Sequence, residues 1–124
     1  MSQQVKRSLK VTVSEDKKTI GEIFSIAIEN ECKVADFYTS LTKLFINILE
    51  VSAFYAGMAE DEKLHTKTLQ GIYNSLDQKQ LNSLSEEHLF KSVITLRDFL
   101  NKNLINSVKN LDDAYEIAHQ IESS

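Results

Sequence analysis

The sequence has no proline and no tryptophan, and its 124 residues include only three glycines (Gly21, Gly57, Gly71) and one cysteine, Cys32. Average usage would give roughly six prolines and nine glycines. A β-sandwich needs turn residues every ten or so positions, so this scarcity argues against antiparallel β structure and for helices. A single cysteine can form no internal disulfide, no Cys-x-x-Cys zinc knuckle and no one-chain iron–sulfur cluster. That predicts a reducing, cytoplasmic setting. No stretch approaches the ~20 uncharged apolar residues of a membrane span, and residues 1–18 hold no signal-peptide core. Neither export nor a membrane is expected. Positive charge is also short: fourteen Lys and Arg are dispersed among eighteen Asp and Glu, for a formal net charge of −4. No basic face is left for a phosphate backbone, so no nucleic-acid partner is expected.

What is present is the apolar content of one globular domain, 42%, arranged with a helical period. Residues 1–18 are polar and read as a tail, with a brief alternation at Leu9, Val11 and Val13. From Thr19 the residues Ile20, Ile23, Phe24, Ala27, Ile28, Val34, Ala35, Tyr38, Leu41 and Phe45 recur by threes and fours, predicting a helix over about 19–46. A second stripe through Val51, Phe54, Tyr55, Met58, Leu69, Ile72 and Leu76 predicts another over about 50–76, with the break near Asn47. The segment after Leu76 is polar. Ser85, Glu86 and Glu87 supply a cap and first-turn acids for a third helix over about 86–105, striped by Leu89, Val93, Leu96 and Leu100. Asn110, Asp112 and Asp113 open a last helix over about 110–123, with Leu111, Ala114, Tyr115, Ala118 and Ile121 inward.

Three polar residues interrupt these stripes where core residues are expected. Glu31 falls within the series Phe24, Ala27, Ile28, Val34, Ala35, Tyr38, while Glu29, Lys33 and Asp36 lie on the other side. Glu62 and His65 fall within Phe54, Tyr55, Met58, Leu69, Ile72 and, three apart, present neighbouring side chains. A lone glutamate at a stripe's edge can reach solvent, and a lone histidine can be a hydrogen-bonded core residue. Three coincidences on adjacent helices argue for a shared purpose instead. A buried carboxylate costs several kcal/mol unless it meets a cation, a shared proton or a metal, and neither stripe offers an inward Lys or Arg. Carboxylates with imidazole suit Fe, Mn or Zn, and bridging carboxylates suit a two-metal site.

These residues also carry a resemblance. AIENECKVADFY resembles the first metal-binding helix of rubrerythrin-type ferritin-like proteins, in which a glutamate precedes a Phe-Tyr pair, here Glu31 before Phe37 and Tyr38. AEDEKLHTKTL resembles their second helix, with its Glu-x-x-His at Glu62 and His65. The resemblance implies an all-α, ferritin-like helical bundle whose site takes one Glu from each of two helices and a Glu-x-x-His from each of the other two. Laying GEIFSIAIENE over DDAYEIAHQIE puts Phe24 on Tyr115, Ala27 on Ala118 and Glu31 on Glu122, which makes Glu122 the ligand of a third helix. No second inward Glu-x-x-His follows: Glu116 precedes His119 by three, but on the outer face, and His88 has no such glutamate. The bundle is therefore expected to be incomplete in one chain. Either a homodimer or higher homo-oligomer completes it, or the fold persists without full chemistry.

The resemblance implies metal ligation by Glu31, Glu62, His65 and Glu122. It further implies two iron ions, shared between chains if a dimer forms, and reduction of O₂ or peroxide or handling of iron, in a pocket lined by Tyr38, Tyr55 and Met58. Without a Cys-x-x-Cys pair, a rubredoxin-like electron-transfer module is not encoded, and the redox partner is left open. A non-enzymatic helical interaction module is the competing expectation.

Overall fold

The computed structural model describes residues 18–124. The expected tail, with its Leu9, Val11 and Val13 alternation, lies outside the described residues apart from Lys18. Five α-helices follow in order: α1 (Ile20–Leu44), α2 (Leu49–Ser75), α3 (Gln78–Asn82), α4 (Glu87–Leu100) and α5 (Leu111–Glu122), with a 3₁₀ turn at Leu104–Ser107 before α5. Among the described residues there is no β-strand, only an isolated bridge between Thr19 and Leu84. The molecule is an all-α helical bundle. No helix of the described residues is long and apolar enough to cross a membrane.

The two long helices form an antiparallel pair around the expected break at Asn47. α1 begins at Thr19, whose hydroxyl accepts from the Glu22 backbone N–H while the Glu22 carboxylate accepts from the Thr19 N–H, satisfying two orphan donors reciprocally. The start of α2 is pinned back onto the end of α1 by Ser52 Oγ, which donates to the Thr42 carbonyl at 2.9 Å. Val34, Phe37, Tyr38 and Leu41 of α1 then meet Tyr55 and Ala59 of α2. Ala114, Ala118 and Ile121 of α5 close the same core.

Two details differ from the expected elements. The polar stretch after Leu76 forms a short helix, α3, capped reciprocally by Asp77 and Gln80. It approaches the first turn of α1 so closely that a Cβ at Gly21 would lie 3.2 Å from the Leu81 carbonyl oxygen. The third expected helix is shorter at both ends, and its N-cap is Glu86 rather than Ser85. Ser85 is held instead by its backbone N–H, which donates to the Lys18 carbonyl.

Several residues expected inward are exposed: Leu111, Tyr115, Phe54, Ile72 and Leu89. The physical reason is coverage. α4 packs chiefly along α1, anchored by the Asn30 side-chain amide, which donates to the Val93 carbonyl at 3.0 Å. It therefore leaves the outer face of α2 open, and Phe54 (61% exposed) and Tyr115 (65%) border that opening. On α5 the buried line is Ala114, Ala118 and Ile121, and Tyr115 stands about 100° round from it.

The placement of α5 rests on its cap. Asn110 Oδ1 accepts from the Asp113 N–H, and Asp113 Oδ2 accepts from the Lys109 N–H. Asn110→Ala is expected to cost about 1 kcal/mol, read as a lower urea midpoint at unchanged slope.

Candidate metal centre

α1 and α2 run antiparallel, so residues of matching height face each other, and Glu31 comes to lie beside Glu62 and His65. One ligand atom from each lies within 4.8 Å of the others. His65 Nδ1 is 3.2 Å from Glu62 Oε1 and 4.0 Å from Glu31 Oε1. Among the described residues no Lys or Arg pairs with these acids, as the stripes implied. Burial is graded across the group: Glu62 is 5% exposed, the Glu31 side chain 24% and the His65 side chain 60%. The expectation that His65 points into the core is thus corrected. It forms the rim of the site, because no helix of the described residues covers that side of α2.

Glu122 arrives from the last turn of α5. It lines the same cavity of about 200 Å³ as Glu31, Glu62 and His65, though it stands outside the tight group of three. Its Oε2 accepts a hydrogen bond from the Tyr38 hydroxyl at 2.7 Å. The other walls are Val34, Leu96 and Ile121. The expected lining by Tyr38, Tyr55 and Met58 is not what is found: α4 brings Leu96 and α5 brings Ile121 over the site, while the two tyrosines pack on the core side. Tyr55 stacks on Tyr38 with ring centroids 5.9 Å apart. The remaining histidines stand apart from the group, both exposed. His88 lies beside Glu86, and His119 stacks on Tyr115.

The electrostatics follow from this packing. Burial pushes the Glu62 carboxyl up to about 7, assisted by a hydrogen bond with Glu31 and by the charges of Glu31 and Glu122, while His65 opposes the rise. The Glu62 carboxyl thus keeps its proton to higher pH than an ordinary carboxylate in the metal-free protein. Burial also holds the Tyr38 phenol above its ordinary range, with the Glu122 hydrogen bond adding to it. Glu62 Oε2 is buried and accepts no hydrogen bond from a donor group among the described residues. An orphaned carboxylate oxygen beside a second carboxylate and an imidazole is a donor set that fits a transition-metal cation.

A helical bundle with an acid-and-imidazole group between its two long helices defines the ferritin-like class of metal-binding proteins. The family model described as Rubrerythrin matches residues 22–124, and the chain belongs to that family. No curated protein and no solved structure matches the chain.

Proposed function

We propose that Glu31, Glu62 and His65 hold iron, with Glu122 as a further ligand, in a two-ion site that reduces O₂ or peroxide or oxidises iron for handling. Mn and Zn fit the same donors less distinctively. The observation that carries this reading is Glu62: a buried carboxylate with an oxygen that meets no donor, and no Lys or Arg paired with it, among the described residues. Bound iron would supply one-electron steps and open coordination positions for the oxidant.

The chain's own residues do the rest. On loading, Glu62 gives up the proton that burial lets it keep toward neutral pH, so affinity rises with pH. His65, at the rim, admits solvent-borne cations and small oxidants on one side. Val34, Leu96 and Ile121 exclude water on the other. Tyr38 holds the Glu122 carboxylate in place through its hydroxyl. The exposed, free Cys32 accords with a reducing, cytoplasmic setting.

The family site uses two Glu-x-x-His pairs, and the described residues bring one of them to the cavity. A homodimer or higher homo-oligomer is proposed to supply the second, docking along the uncovered side of α2 where His65 forms the rim of the cavity. Elemental analysis combined with sedimentation at micromolar concentration tests the reading. An iron-loaded dimer that loses metal on dissociation is expected, and a monomer that binds no iron overturns both the dimer and the enzyme and leaves the interaction-module reading.

A further inference from the structure

We propose that α4 is a gate: it lifts from α1 as one body and carries Leu96 off the carboxylate cavity. The lifted helix opens a path by which cations and small oxidants reach Glu31 and Glu62 once a second copy covers the His65 side. That use of the motion rests on the metal site and assembly proposed above. The motion itself is a property of the described residues.

The walls of the cavity are held unequally. Val34 of α1 and Ile121 of α5 belong to the same apolar cluster as Tyr38, Leu41 and Tyr55. Leu96 comes from α4, which lacks that footing. Of the 14 residues of α4 only Phe90 is buried, and it stands outside the cluster. The partly buried Phe99 and Leu100 touch the cluster at the C-terminal end of the helix. An element that buries so little apolar surface opens at lower free energy than the core it rests on.

Its polar ties are as sparse. The ion pairs Glu87–Lys91 and Arg97–Asp98 lie within the helix and travel with it. The N-cap, Glu86, makes no side-chain cap bond. Lys33 Nζ donates to the C-cap Asn101 Oδ1 on the exposed surface. The interior latch is the Asn30 amide, donating to the Val93 carbonyl at 3.0 Å, and it is half-made. Asn30 is 2% exposed, yet its Oδ1 accepts from no donor among the described residues. Burying an acceptor without a donor costs as much as the amide's one bond returns, or more. Lifting α4 gives that oxygen to water. The latch also sits one residue from Glu31, beside the cavity it closes.

Hydrogen exchange of the metal-free full chain, read by mass spectrometry of peptides from α1, α2 and α4, follows the motion without iron. A failure of the gate and a failure to bind iron are therefore separate results. Corrected for intrinsic rates, amides of Val93–Arg97 are expected to exchange at least ~30-fold faster than those of Val34–Leu41 and Tyr55–Ala59, as in an opening short of global unfolding. Asn30→Leu keeps the branching and removes the stranded oxygen, and should slow exchange through α4 roughly tenfold with α2 unchanged. Asn30→Asp sets a carboxylate against the Val93 carbonyl and should quicken it. Circular dichroism checks that both variants keep their helices, and if one fails to fold the other still decides. Amides of α4 that exchange at the α1 rate overturn the gate, as do α4 rates that neither substitution moves. Access is read as the rate at which anaerobic Fe(II) becomes protected from ferrozine in the assembled protein. Asn30→Leu should slow it roughly tenfold with the same final iron per chain. An unchanged loading rate beside slowed α4 exchange overturns the use proposed for the motion. A protein that binds no iron yet opens at α4 overturns the iron reading and leaves the moving helix standing.

Discussion

His65→Ala is expected to leave the purified protein with roughly a tenth of its iron or less, because loss even of residues that merely support metal ligands costs ~10–100-fold in affinity. His65 brings the imidazole of the three-residue group, with Nδ1 3.2 Å from Glu62 Oε1. Without it, Glu31 and Glu62 keep their mutual repulsion and lose the group that opposes it. The same change at His88 or His119 should leave the iron content unaltered. His88 sits at the start of α4 beside Glu86, and His119 lies on the outer face of α5 against Tyr115. All three histidines are exposed, so truncating any of them costs little folding stability and the comparison reads metal rather than fold. Iron content by elemental analysis decides it. Equal losses at all three positions would place the metal elsewhere.

Much of this site was legible because helical register is a local property. Glu31 and Glu62 interrupt series that advance by threes and fours, and the antiparallel turn at Asn47 brings the two series to matching height. What lies over each face is not local. His65 keeps the same period as Glu62, yet its side chain is largely exposed because no helix crosses that side of α2 in the described residues. The same gap turns Phe54 and Ile72 outward. On α5 an error of one position, about 100°, separates the exposed Tyr115 from the buried Ala114. Asn30 is polar and belongs to no apolar series, but α4 crosses α1 there and buries it against the Val93 carbonyl. The bond between Tyr38 and Glu122 joins residues 84 apart, and no spacing rule reaches that far. The sequence does carry the two helix starts as local signals: Thr19 with Glu22 and Asp77 with Gln80 are both capping boxes, and the second of these marks α3 within a stretch that has no apolar period.

Glu62→Gln is expected to make the metal-free protein more stable near pH 8 while abolishing iron binding, so that one substitution separates folding from function. The sign follows from the direction of the shift. In the folded chain burial and Glu31 hold the Glu62 carboxyl at about 7, above its ordinary 4.5. Between those values the native state binds more protons than the unfolded state, so stability falls as pH rises through the window and the loss is complete above it. The loss from this one group is on the order of 3 kcal/mol. Glutamine keeps the shape, cannot ionise, and offers Glu31 an amide N–H donor. Subtracting the variant's urea-unfolding free energy from that of the wild type at pH 5 and at pH 8 isolates the effect from every other titrating group. The wild type should lose ground relative to the variant as pH rises; a difference that does not change with pH would mean that Glu62 ionises freely in the fold. Iron reverses the balance for the wild type alone, since it binds the folded, deprotonated pair and stabilises it by mass action. Adding Fe(II) anaerobically at pH 8 should therefore raise the wild-type unfolding midpoint and leave that of Glu62→Gln where it was.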